Sequence, residues 1–115
     1  MKPVKYSDSD ASDTDLGTKI IHKYPTPTKD YDIARMEVRG RFPKNGYIFN
    51  NVCDFFIYVL VGTGTVYAGD ETFQVEPKDV VFVPAKNKYA VDGAFEYITV
   101  DVPEWNADQA EEVTE

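Results

Sequence analysis

Apolar and polar positions alternate with a period of two through much of the middle of the chain. In "DIARMEVRG" (32–40), Ala34, Met36 and Val38 fall on one face and Arg35, Glu37 and Arg39 on the other. That is the pattern of a half-buried strand whose charged face meets water or a polar cavity. "FEYITVDV" (95–102) alternates in the same way, and "TKIIHKY" (18–24) is compatible with a strand before "PTPTKD" (25–30) breaks it. "FFIYVLV" (55–61) is a continuous apolar run bounded by "GTG", too short for a helix and suited to a strand buried on both faces.

Turn signals separate these runs. "GRFPKNG" (40–46) reads as a turn, and "GDE" between "TVYA" and "TFQV" reads as a hairpin. "EPKD" is a turn before the strand "VVFVP", "AKNK" is a loop, and "DG" separates a short strand "YAV" from the last one. Only "NADQAEEV" (106–113) predicts a helix, with Asn106 and Gln109 at capping-box spacing. Short strands at regular spacing predict an antiparallel sandwich or barrel. We divide the chain into an acidic arm (1–17), a β-barrel domain (18–103) and a short C-terminal helix with an acidic tail (104–115).

Composition narrows the function. A chain of 115 residues makes one domain with its own core, and its eight Tyr and seven Phe favour strands. The net charge of −8 resides at the ends: residues 1–15 carry two Lys and four Asp, and residues 101–115 carry six acids and no base. The body between them is neutral, with ten residues of each sign, so no basic stripe points to nucleic acid. No window reaches the length of a membrane span, and "MKPVKYSDSD" lacks the apolar stretch of a secretory signal. The expectation is a soluble, cytoplasmic protein; a single cysteine, Cys53, allows no intrachain disulfide. "SDSDASDTDLG" (7–17) begins like a calcium loop, but Asp13 and Lys19 stand where glycine and glutamate are needed, and a solvated arm is expected.

The spacing of these turns and strands resembles the cupin superfamily, small jelly-roll (double-stranded β-helix) barrels marked by two motifs. Counting back from Gly62 through the first motif, G-x5-H-x-H-x3-4-E-x6-G, its glutamate falls on Phe55. Its histidines fall on Phe49 and Asn51, or on Ile48 and Asn50 with the longer spacer. The second, G-x5-P-x-G-x2-H-x3-N, lands on Lys78, Pro84, Lys86, Tyr89 and Gly93, with only the proline matching. The resemblance covers roughly residues 32–102 and implies an all-β barrel. A catalytic metal needs three or four converging N, O or S ligands. Two phenyl rings, an amide and a phenol do not supply them, so neither metal nor cofactor is expected.

The resemblance turns Tyr89 into the barrel, which makes it the one weak catalytic candidate, as acid or base. Tyr58, Glu37 and Asp54 are further titratable candidates, and Arg35, Arg39 or Arg41 could fix an anion. Each of these has an ordinary structural reading as well. His22 is expected to be a surface or packing residue, and Cys53, without a nearby base, an inert buried thiol. Phe49, Phe55 and Ile57, together with Asn50, Asn51 and Tyr89, would line a ligand cavity unless the two phenylalanines fill the barrel. The leading expectation is non-catalytic binding of a small organic molecule or sugar. The alternatives are a metal-independent isomerase-like or lyase-like enzyme using Tyr89, and a structural module with a plugged barrel. The resemblance also implies a homodimer, in which one face of "FFIYVLV" meets a second subunit. Trp105 would pin the C-terminal tail to the barrel or to that neighbour, or would only cover the end of its own core.

Overall fold

The computed structural model describes residues 2–14 and 17–114. Met1, Asp15, Leu16 and Glu115, which belong to the expected arm and tail, lie outside the described residues. Among the described residues the strands are β1 (Asp10–Thr14), β2 (Lys19–Lys23), β3 (Asp32–Arg39), β4 (Tyr47–Asn50), β5 (Asp54–Ala68), β6 (Glu71–Val75), β7 (Val80–Val83), β8 (Lys88–Val102) and β9 (Ala110–Val113). All their pairings are antiparallel. The path β1-β2-β3-β8-β4-β9 curls round, and β5 joins it through β8 while also carrying β6 and β7. No helix among the described residues is long and apolar enough to cross a membrane.

β8 organises the barrel. Along its length it pairs with β3 on one side and with β5 on the other, and its first residues also meet β4. The predicted turns at "GTG" and "DG" are bends inside two long strands rather than chain reversals. Gly62 has φ of +82° and Gly93 of +139°, values open to glycine and strained for other residues. A Cβ on Gly64 would lie 2.5 Å from the Phe95 ring, so β5 and β8 approach closely only where side chains are missing. A register shift between Val59 and Val61 adds curvature at the same corner. The expected hairpin is present, with Gly69 and Asp70 joining β5 to β6.

Two more expectations change. The arm does not stay free of the barrel: β1 pairs along β2, placing Asp10 opposite Lys23, a favourable cross-strand pair on an otherwise open edge. The C-terminal helix reduces to a 3-10 turn at Ala107–Gln109, followed by β9 on the edge of β4. The predicted capping box does form, with Asn106 Oδ1 accepting from the Asp108 N–H at 3.0 Å. So short a helix is marginal by itself, whereas pairing with β4 satisfies the backbone directly. The packed core gathers Val38, Ile57, Val59, Val66, Val83, Val91 and Phe95.

Candidate functional site

Beside this core the barrel is hollow. Its cavity of about 300 Å³ takes Lys19, Ile21 and Lys23 from β2, Asp32, Ala34 and Met36 from β3, and Tyr97, Thr99 and Asp101 from β8. Each trio follows from period-two alternation, since residues i, i+2 and i+4 share one face of a strand. Phe42, Ile48, Phe55 and Tyr89 close the sides, and Ser12, Trp105 and Ala110 complete the lining. Phe55 and Tyr89 meet edge to face, with centroids 4.7 Å apart.

Two carboxyl groups dominate the electrostatics. Asp32 and Asp101 are direct partners across the β3–β8 pair. Asp32 is 2% exposed. Its Oδ2 accepts from the Trp105 N–H at 2.9 Å and lies 3.6 Å from Lys23 Nζ. Its Oδ1 is buried with no ordinary donor among the described residues. Burial and the hydrogen-bonded carboxyl of Asp32 push Asp101 up to about 8, opposed by the ammonium groups of Lys19 and Lys23. Lys19, 4% exposed, also sets its Nζ 4.2 Å from the centre of the Phe42 ring. Burial, helped by Asp101, raises the phenol of Tyr89, and burial likewise holds Tyr97 well above its ordinary range. Both phenols keep their protons near neutrality, so Tyr89 can donate a hydrogen bond there.

The residues singled out from sequence scatter. Phe55 and Tyr89 line the cavity. Phe49 lines a separate surface groove beside Gly69, Lys88 and Glu111, so it does not fill the barrel. Ile57 sits in the packed core. Asn50 holds the turn into β5, its Oδ1 accepting from the N–H groups of Val52 at 2.8 Å and Cys53 at 2.7 Å. Its amide donates to Gln109 Oε1 at 3.3 Å, and that of Asn51 donates to the Gln109 carbonyl at 3.3 Å. Neither asparagine is among the cavity lining residues.

The four motif positions, Phe49, Asn51, Phe55 and Tyr89, thus do not converge, and their donor set does not fit a transition metal. Among the described residues no three His, Cys, Asp or Glu side chains gather into a metal site. Cys53 is buried, its thiol 3.1 Å from both the Pro103 carbonyl and Gln109 Oε1, and burial pushes it up to about 11. His22 packs under the Tyr6 ring and lies 2.6 Å from Glu37 Oε2. Arg35 joins the same cluster through Glu96 at 3.3 Å. Arg35 and Glu37 on the charged side of β3 are therefore tied up in ion pairs, and the cavity lies on its Ala34 and Met36 side.

Lys19, Lys23, Asp32, Thr99 and Asp101 escaped the sequence reading. A signal was present: Asp32 is in phase with Ala34, Met36 and Val38, and Asp101 with Phe95, Tyr97 and Thr99. A charge in phase with a buried stripe at its end faces the interior, but alternation alone does not tell which two strands are neighbours.

No family model and no curated protein matches the sequence. Solved structures do match. The nucleoside dehydratase Pac13 is similar with a TM-score of 0.87 at 18% identity, over 99% of this chain and 92% of that one. A variant of Pac13 from Streptomyces with uridine gives a TM-score of 0.88 at 18% identity, over 99% and 91%. The polyketide cyclase RemF from Streptomyces resistomycificus gives 0.76 at 18% identity, over 98% and 85%. The cupin domain of Schizosaccharomyces pombe Cnp3 gives 0.66 at 14% identity, over 75% and 61%. Strand order and these likenesses agree: the chain has the cupin fold.

Proposed function

We propose that the chain binds a small organic molecule, a ring bearing several hydroxyl or carbonyl oxygens, inside the barrel and without a metal. The observation that carries this is the cavity of about 300 Å³, in which the aromatic walls Phe42, Phe55 and Tyr89 stand beside Lys19, Thr99 and Asp101. Aromatic faces take a planar ring or the apolar side of a sugar, while the polar groups fix its oxygens. The volume suits a pentose or a nucleoside. Pac13, a structural neighbour, has been seen with uridine, which supports that size class.

A thermal-shift screen of pentoses, hexoses, sugar acids and nucleosides tests the reading. A ligand specific to the folded state at one hundred times its Kd stabilises by about 2.7 kcal/mol, a rise of several degrees in Tm. Silence across the panel, with Thr99→Trp (a substitution that fills the cavity) equally silent, sinks it.

The partner we propose is a second copy of the chain. The outer faces of β3, β8, β5 and β7 align Ile33, Val100, Phe56 and Phe82 in one row, with Ile98, Tyr58 and Val80 in the next. Phe82 is 73% exposed at the end of that row. Such a contiguous apolar stripe supports an interface. Passive binding leaves one feature of the cavity without a use, the pair Asp32 and Asp101.

A further inference from the structure

We propose that Asp32 and Asp101 share a single proton and that this proton is the general acid of the cavity, delivered to a hydroxyl or carbonyl oxygen of the bound molecule. This rests on the binding reading above and adds chemistry to it. The geometry is that of a carboxyl dyad. The two residues face each other in register across β3 and β8, and both line the cavity. Asp32 is almost completely buried, and its Oδ1 has no donor among the described residues. A buried acceptor left in that state is costly. An acid proton on the neighbouring carboxyl relieves it, and two adjacent carboxylates largely removed from water resist ionising together at neutral pH. Asp32 is held in place by the Trp105 N–H and Lys23, which leaves Asp101, the less buried partner, to face the ligand.

Charged and titratable groups from several elements surround the pair, and β1 sets Asp10 opposite Lys23. β2 presents Lys19 and Lys23; β8 presents Tyr89 and Tyr97, both held neutral by burial. Cys53, ahead of β5, is a buried thiol pushed up to about 11, and Asp54 beside it accepts from the Ala85 N–H at 2.8 Å. The push on Asp101 to about 8 agrees with a proton retained at neutrality. In the transfer, the O–H bond of Asp101 breaks as an O–H bond forms on the ligand oxygen. The pair is left as two carboxylates facing the ammonium groups of Lys19 and Lys23, and it recovers the proton from product or water. No electrons change hands. The substrate class is a neutral hydroxylated ring whose oxygen becomes more basic as its bond to carbon breaks, or a carbonyl that gains negative charge.

Carbon-13 spectra of protein labelled at the Asp carboxyls test the pair, and uridine serves as the binding probe. The expected spectrum has one Asp carboxyl still protonated at pH 7 that ionises near about pH 8. That resonance is absent from Asp101→Asn and moves to lower pH in Asp32→Asn. Should Asp101→Asn fail to fold, Asp101→Glu removes the same Asp resonance while keeping an acid. Uridine affinity should fall about fourfold between about pH 7 and about pH 8.5, where only a minor part of the uracil ionises, and be nearly flat with pH in Asp101→Asn. A wild-type spectrum with every Asp carboxyl ionised by about pH 6 overturns the pair even if uridine binds. A protonated carboxyl with pH-independent uridine affinity overturns its role as acid. A protonated carboxyl with no binding by any probe overturns the binding reading, and the acid's target falls with it.

Discussion

Lys78 and Lys86 have φ of +77° and +67°, in the left-handed region that side chains with a Cβ rarely enter. Both occupy positions where the cupin motif carries glycine. The backbone keeps the glycine shape because hydrogen bonds hold it: the Lys78 N–H donates to the Val59 carbonyl at 2.9 Å and the Lys86 N–H to that of Asn50 at 2.8 Å. Lys78→Gly and Lys86→Gly should each raise stability by about 0.5–1 kcal/mol, since relief of the strained side chain exceeds the added chain entropy. Urea unfolding measures this, and a loss at both sites would show that the lysine side chains stabilise their turns by more than the strain. At this scale the motif was legible as spacing but poorly as identity. Pro84 alone matched, yet the two left-handed lysines fall where the spacing put the glycines. Ligand identity at Phe49 and Asn51 was less transferable, because a one-residue difference in a loop redirects a side chain.

Elements were read well where alternation was clean and misread where glycine carried two meanings. β3 and β7 follow their predicted runs, and the last predicted strand forms the second half of β8. Gly62, Gly64 and Gly93 signalled turns but mark the corner where β5 and β8 bend together. Gly64→Ala should therefore destabilise by about 2–3 kcal/mol, because a methyl there meets the Phe95 ring in a packed core. Combining it with Phe95→Leu should lose less than the sum of the two single losses, and simple additivity in urea melts would place the strain elsewhere. The C-terminal segment shows the reverse error. Its capping box was correctly predicted, but the open edge of β4, invisible in local sequence, draws residues 110–113 into a strand.

For the molecule as a whole, the outward and inward faces separate two roles. The apolar rows that end at Phe82 support pairing of subunits, and Phe82→Glu should turn a dimer into a monomer by placing a charge on the apolar stripe that the contact would bury. Light scattering after size exclusion at micromolar concentration decides it, and a wild-type monomer would overturn the interface. Inward, the barrel encloses a cavity of about 300 Å³. Phe55 forms one wall, Phe49 is elsewhere, and the cavity is occupied by charge. What the sequence by itself determined is local: which positions alternate, where the chain turns, and that the motif positions lack nitrogen and sulfur ligands. Those properties depend only on residue type and near spacing. Only the tertiary structure decided that Asp32 lies opposite Asp101 and that Lys19 and Lys23 look into the same space. Register between distant strands is set by the packing of whole faces. A carboxyl holds a proton at neutral pH only once the folded barrel has removed it from water.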